Sequence, residues 1–187
     1  MSTRPTRGRP DSRSRILDAA QTIAGRDGAA HVTLDAVARE SGLSKGGVLY
    51  NFPNKDALIG GMVQRLIETI APVIEDYRRD NAHFPCPTLR AMILATGMRD
   101  AIEPGVKMAI LAAAAENPAL LDPVRREYER NHRLVLEESR DAPAAMLLWA
   151  ALDGIMFQTL LGMAPYDAEE RQRMLDRLLA LIDEVAS

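Results

Sequence analysis

The chain is poor in the residues that mark secreted, redox or β-rich proteins. Of its 187 residues only Cys86 is a cysteine, so no intrachain disulfide can form and a reducing cytoplasm is the expected compartment. Aromatics make up 4% of the chain, so the 47% that is hydrophobic must build its core mainly from Ala, Leu, Ile, Val and Met. No segment alternates Val, Ile and Thr with polar residues as a strand would. There is no internal repeat of 20–50 residues. The first residues carry arginines but no apolar run after them, which argues against a secretion signal. No Walker loop, dinucleotide fingerprint or nucleophile–base pair is present, so no cofactor is expected. Residues 142–164 are apolar and about long enough to span a membrane. Asp153 lies in the middle of that run, where a charge costs about 2.5–3.5 kcal/mol, and Gln158 adds to the cost. A buried helix of a soluble protein, with no membrane partner, is the expectation there.

Helix formers dominate, and the net charge of −3 is unevenly spread. Residues 1–60 hold nine Lys/Arg against six Asp/Glu, a net +3; residues 61–187 hold fourteen against twenty, a net −6. The basic part suits a polyanion, and the acidic part must do something else away from it.

Residues 33–58 have the layout of two short helices crossing over a tight turn, a shape that fits the DNA major groove. Thr33 and Ser44 are hydroxyl residues where each helix would start. Ala38 is small enough for a close crossing, Gly42 can take the left-handed conformation in the turn, and Val48 supplies a buried contact. Leu34, Val37 and Leu43 give the apolar side. Ser44, Lys45, Gly46 and Gly47 then form the end that enters the groove, where free N–H groups and the helix dipole favour phosphate. Lys45 is the one long donor there, suited to a guanine or a phosphate. The paired glycines cost about 1 kcal/mol each in helix propensity, which close approach of backbone to DNA would offset. Thr33 and Lys55, at helix starts, are expected to hold phosphates. Upstream, residues 1–10 form a basic arm, and Arg4, Arg7 and Arg9 in it, with Arg13 beyond, suit a narrow minor groove.

The spacing predicts an all-α protein. A first helix runs from about Asp11 or Ser12 to Gly28, and a long one runs from Asn54 to about Tyr77 with a bend at Pro72. A loop at 83–87 follows, then helices at 88–100 capped by Thr88, at 104–117, at 119–139 and at 142–162. A last helix runs from Asp167 to Val185. The expected division is an arm at 1–10, a helix-turn-helix domain at 11–53, and a ligand-binding and dimerisation domain at 54–187.

The segment Gly42-Leu43-Ser44-Lys45-Gly46-Gly47-Val48-Leu49-Tyr50-Asn51-Phe52, with Lys55 three residues on, resembles the tetracycline-repressor (TetR) family of bacterial regulators. The similarity covers roughly residues 10–60. It implies nine helices, an Ω-shaped homodimer, and a C-terminal domain that binds a small molecule and releases DNA. Many relatives have a tyrosine three residues before the phenylalanine and a histidine just before it. Here Leu49 and Asn51 fill those slots and Tyr50 lies between them, so either Tyr50 or Asn51 makes the usual phosphate contact.

For the effector, expected to be small and hydrophobic, the candidate lining is Met62, Leu66, Met92, Met108, Tyr128, His132, Trp149, Met156 and Phe157. Methionine adapts to irregular ligands but equally fills plain cores. Asp153, a carboxylate in an apolar helix, needs a partner. Arg133, Arg177 or a ligand can supply it. A helix apolar on all sides should be buried on all sides. Leu147, Ala150, Gly154 and Leu161 are therefore placed at a dimer interface, with Met174, Leu178 and Leu181 of the last helix. The function expected is a ligand-responsive repressor, a homodimer on a palindromic double-stranded operator, controlling an efflux pump or catabolic operon. The alternatives are a regulator or activator without inducer, or a helical metal enzyme using Glu129 and His132; that pair is a single Glu-x-x-His where carboxylate-bridged bundles need two.

Overall fold

The computed structural model describes residues 11–97 and 102–186. Nine α-helices have both ends among them, with no strand among the described residues. The basic arm with Arg7 and Arg9 lies outside the described residues.

Two compact units are formed. The first runs to Val63 and takes in Glu103–Leu120; the second takes Gln64 onward to Ile102 and Leu121 onward. This differs from the division at 53/54 expected from the sequence.

In the first unit, α1 (Ser12–Asp27) starts at Asp11, whose carboxylate accepts the backbone N–H groups of Arg13 and Ser14. A single 3₁₀ turn at Ala29–His31, too short to leave a periodic signal, leads to α2 (Leu34–Ser41). Helix α3 is Lys45–Asn51. Ile16, Ala20, Val37, Val48, Leu58 and Met62 are all but inaccessible to solvent. Their burial, about 1.5–3 kcal/mol for each large side chain, holds the three short helices together. Helix α6 (Pro104–Glu116) packs on α1 because Gly105 has no Cβ: one added there would lie 2.0 Å from the Ala24 carbonyl oxygen. At its other end Asn117 donates to Asp56 at 2.8 Å, joining it to the start of α4 (Lys55–Asp80). That pair of contacts explains why 103–120 groups with the head.

In the second unit, α5 (Pro87–Leu94), α7 (Asp122–Glu138), α8 (Ala142–Leu160) and α9 (Ala168–Ala186) pack around Leu89, Met92, Val135, Trp149, Leu152 and Leu175. Thr88 is not the cap of α5. Pro87 opens that helix and Cys86, at φ 45°, is the cap residue. Thr88 sits inside the first turn, where its N–H and hydroxyl donate to Glu138 at 2.7 and 2.8 Å. A carboxylate fifty residues away thus satisfies the helix start, something no local pattern encodes. Helix α5 ends at Leu94 rather than near Asp100, and residues 98–100 of the expected helix lie outside the described residues. Helix α9 has a reciprocal cap: Asp167 accepts from Glu170 N–H at 2.8 Å and Glu170 accepts from Asp167 N–H at 3.0 Å. Arg90, buried, pairs with Asp183 and lies 4.7 Å over the Phe84 ring, tying α5 to the end of α9.

Helices α4 and α8 are long and apolar enough to cross a membrane by length and composition alone. Helix α8 buries Ala145, Trp149, Leu152 and Ile155 on one side only. Its other side leaves Leu147 72% and Phe157 55% exposed. Within one chain it is half covered, as expected of a helix that packs on its own domain's core with one side and keeps the other for a second subunit.

Cys86 is buried, its Sγ 2.7 Å from Ser139 Oγ, and Ser139 in turn donates to the Val135 carbonyl. With the Ser139 proton so used, the thiol is the donor of the pair. Burial pushes the Cys86 thiol above its ordinary value. An aromatic disulfide reagent at pH 8 is therefore expected to label native protein at least tenfold more slowly than protein in denaturant; equal rates would contradict this burial.

Candidate DNA-reading head and ligand groove

The head is built by local chemistry. Thr33 Oγ1 accepts from Ala36 N–H at 3.2 Å and Ser44 Oγ accepts from Gly47 N–H at 3.1 Å, so each hydroxyl caps its helix. Gly42 between them adopts the left-handed conformation, φ 66°, and its N–H bonds back to the α2 carbonyls. Arg15 donates to the Ser41 carbonyl at 2.7 Å and Arg26 reaches Glu40 at 3.0 Å, fixing α2 against α1. The same Arg26 holds the Asp27 carboxyl below its ordinary range through a side-chain hydrogen bond. Arg13, grouped by sequence with the basic run, instead lies 5.1 Å over the Phe52 ring. Neither Arg13 nor Arg15 was legible as a packing residue, because both contacts join residues far apart in sequence.

At the leading end of α3, Lys45 is exposed, with Nζ 2.9 Å from Asp35 Oδ1. A Cβ on Gly46 would meet only Ser44 Oγ, at 4.0 Å. Packing therefore does not require glycine there. Lys55 is exposed at the start of α4. The two candidates for the phosphate contact are in different states. Asn51 is half-buried, and its amide donates to the Gly47 carbonyl at 2.9 Å and to Ser12 Oγ at 3.4 Å. Tyr50 is 90% exposed. Asn51 ties α3 to α1, whereas the Tyr50 ring stands in solvent. Tyr50→Phe, which removes one hydroxyl and no packing, is expected to weaken operator binding about three- to tenfold. Fluorescence anisotropy on labelled duplex measures it, and unchanged affinity would return the contact to Asn51.

In the second unit Tyr128, His132, Trp149 and Asp153 come together in an open groove of about 560 Å³ between α7 and α8, with Glu129, Arg133, Met146 and Ala150. The Tyr128 and Trp149 rings are 5.6 Å apart and His132 and Trp149 6.4 Å. Tyr128 Oη donates to Asp153 at 3.1 Å. Arg177, one partner expected for Asp153, pairs with Glu184 at 2.7 Å instead. Trp149 is 3% exposed and its indole N–H has no hydrogen-bond partner, a cost that an acceptor on a ligand would relieve.

Several expected lining residues are elsewhere. Met62 is fully buried in the head's core, and Met108, 39% exposed, belongs to α6 of the same unit. Met92 is buried in the core of the second unit, and Met156 packs against that core. Leu66 is half-buried on α4 and does not line the groove, and Phe157 is largely exposed one turn beyond Asp153. Methionine spacing is the same for core and pocket, so sequence alone did not separate them.

Of the interface candidates, Leu147, Ala150, Gly154, Leu161 and Met174 are exposed, and Leu181 is half-buried. Leu178 is the exception: it is 6% exposed and committed to its own unit's core. A second groove of about 780 Å³ runs between α8 and α9, past Gly154, Gln158, Tyr166 and Met174. No group of three His, Cys, Asp or Glu that could hold a metal occurs among the described residues.

A tri-helical head with a capped α2–turn–α3 pair and an exposed α3 tip defines a helix-turn-helix DNA-binding protein. Residues 16–62 match the family model described as bacterial regulatory proteins, tetR family, and residues 87–183 match the tetracyclin repressor-like C-terminal domain. The chain therefore belongs to the TetR family of transcriptional regulators. It is 25% identical over 181 residues to the HTH-type transcriptional regulator BetI of Stenotrophomonas maltophilia (strain R551-3), spanning 88% of this chain and 89% of that one. Among solved structures, the multidrug binding protein EbrR complexed with malachite green is 29% identical, with 90% of this chain and 98% of that chain covered and a TM-score of 0.67. The TetR-family member SCO1917 of Streptomyces coelicolor A3 is also 29% identical, covering 90% and 98% of the two chains at a TM-score of 0.60.

Proposed function

We propose that this regulator is a cytoplasmic, ligand-responsive repressor that binds a palindromic operator as a homodimer. The observation that carries the reading is the exposure along α3 of Lys45 at its leading end and Tyr50 near its far end, beside two capped helix starts. Lys45 and the backbone at Gly46 and Gly47 enter the major groove, and the Thr33 and Ser44 ends, Tyr50 and Lys55 hold phosphates. Arg7 and Arg9 reach the adjacent minor groove.

The uncovered apolar side of α8 supports a second copy as its cover. A two-fold axis there presents two heads to half-sites one helical turn apart, roughly 34–36 Å. The α7–α8 groove supports an effector with an aromatic body and a positive charge. Its ring faces attract cations, and Glu129 and Asp153 outweigh Arg133 in formal charge. EbrR has been solved with malachite green and with ethidium, which agrees with that chemistry. Such a ligand releases DNA only by binding the DNA-incompetent conformer more tightly than the other. Control of an efflux pump or a catabolic operon is the corresponding biological role.

The test is binding of the purified protein to the DNA upstream of its own gene at two salt concentrations, with Lys45→Ala alongside and malachite green as the ligand probe. Salt-sensitive binding that Lys45→Ala weakens at least tenfold, and that the dye reverses, is expected. Binding indifferent to Lys45 would overturn the assigned reading end, and binding indifferent to the dye would overturn the effector chemistry.

A further inference from the structure

Asp35 is the second residue of α2 and Lys45 the first of α3, so the 2.9 Å ion pair between them bridges the two helix starts that face DNA in the proposed reading. Both side chains are about 60% exposed, 59% for Asp35 and 61% for Lys45. A pair so exposed contributes little to folding. The other polar side chains at these two starts already have partners within the protein: Thr33 with Ala36 and Ser44 with Gly47. A bare carboxylate beside a phosphate-holding helix start would repel DNA. An untethered lysine would take the nearest phosphate, a contact without sequence information.

We propose that Asp35 is a specificity-determining residue of the head, one that holds the Lys45 ammonium away from phosphate and presents its remaining N–H donors to a base edge. The ammonium has three N–H donors. One directed at Asp35 leaves two for guanine O6 and N7, in a fixed direction instead of a mobile one. The pair is also close to neutral as a unit, so Lys45 adds little to the counterion release that drives binding to any sequence. This rests on the operator-reading role assigned above to Lys45.

The test starts with a duplex selected from a random-sequence pool by the wild-type protein. Binding of that duplex and of a scrambled duplex of equal length and composition is then measured over a salt series. The proteins are wild type, Asp35→Asn, Lys45→Gln and the double variant. Asp35→Asn is expected to bind the scrambled duplex more tightly, to lose about tenfold in discrimination between the two, and to steepen the log–log salt slope by about 0.9, one added phosphate contact. In the Lys45→Gln background the same substitution leaves discrimination unchanged. An unaltered discrimination ratio in the single variant, with or without a lowered melting midpoint, would reduce Asp35 to a helix-start residue and overturn the proposal. An equal loss in the Lys45→Gln background would overturn it too, because Asp35 would then act without Lys45. A pool in which no sequence is enriched overturns the operator-reading role itself, and this inference with it.

Discussion

Gly105→Ala is expected to lose about 3 kcal/mol of stability, the upper range for overpacking a filled site. The new methyl would lie 2.0 Å from the Ala24 carbonyl oxygen, 2.8 Å from the carbonyl carbon and 3.0 Å from Gly25 Cα. All three are backbone atoms within α1, so no rotamer change relieves the clash. Either α6 lifts off α1 or α1 deforms where Ile23 and Ala24 are buried. Gly60→Ala is the matched control. Its Cβ would meet only Leu120 Cδ2, at an ordinary 3.9 Å, inside a helix where alanine is favoured by roughly 0.5–1 kcal/mol. Urea titrations of the two variants should move in opposite directions from wild type. A Gly105→Ala midpoint equal to wild type would mean that α6 does not rest on α1 as described.

Leu147→Glu carries the second large effect, on assembly rather than on folding. Leu147 is 72% exposed within one chain, so a glutamate there leaves the protomer's helical content and unfolding midpoint at low concentration unchanged. Across the two-fold interface proposed above the substitution appears twice. Each buried, unpaired carboxylate costs on the order of 3 kcal/mol. The expected product is a folded monomer that binds a palindromic operator more than 100-fold more weakly, seen by sedimentation and by operator titration. A Leu147→Glu protein that remains a dimer would move the interface off this side of α8.

What the sequence disclosed and what it withheld follow a physical division. Features fixed by neighbours within a turn or two were legible: the hydroxyl caps at Thr33 and Ser44, the left-handed Gly42, the start of the long helix after Asn54, and the apolar stripe of α1. Features decided by partners far along the chain were not. Glu138 capping α5, the Tyr128 hydroxyl donating to Asp153, and the seat of Gly105 on α1 each depend on two residues that no local pattern joins. The methionines show the same limit from another side. Met62 has the spacing of a pocket residue and the burial of a core one, since periodicity reports which side of a helix is apolar and not what covers it. Asn51 was equally opaque, because its bond to Ser12 spans the whole head.

Trp149 is the chain's sole tryptophan, enclosed between Tyr128 and His132 with its indole N–H unpartnered. Light absorbed by indole alone therefore samples a single locality, and emission colour and lifetime become an inherent gauge of polarity at that spot. Tyrosine emission, only 5.6 Å away at Tyr128, drains into the same ring. A dye, a proton or a loosened helix arriving beside it registers without any label being attached, and the remaining aromatics, far fewer than usual for a chain of this length, add almost no background.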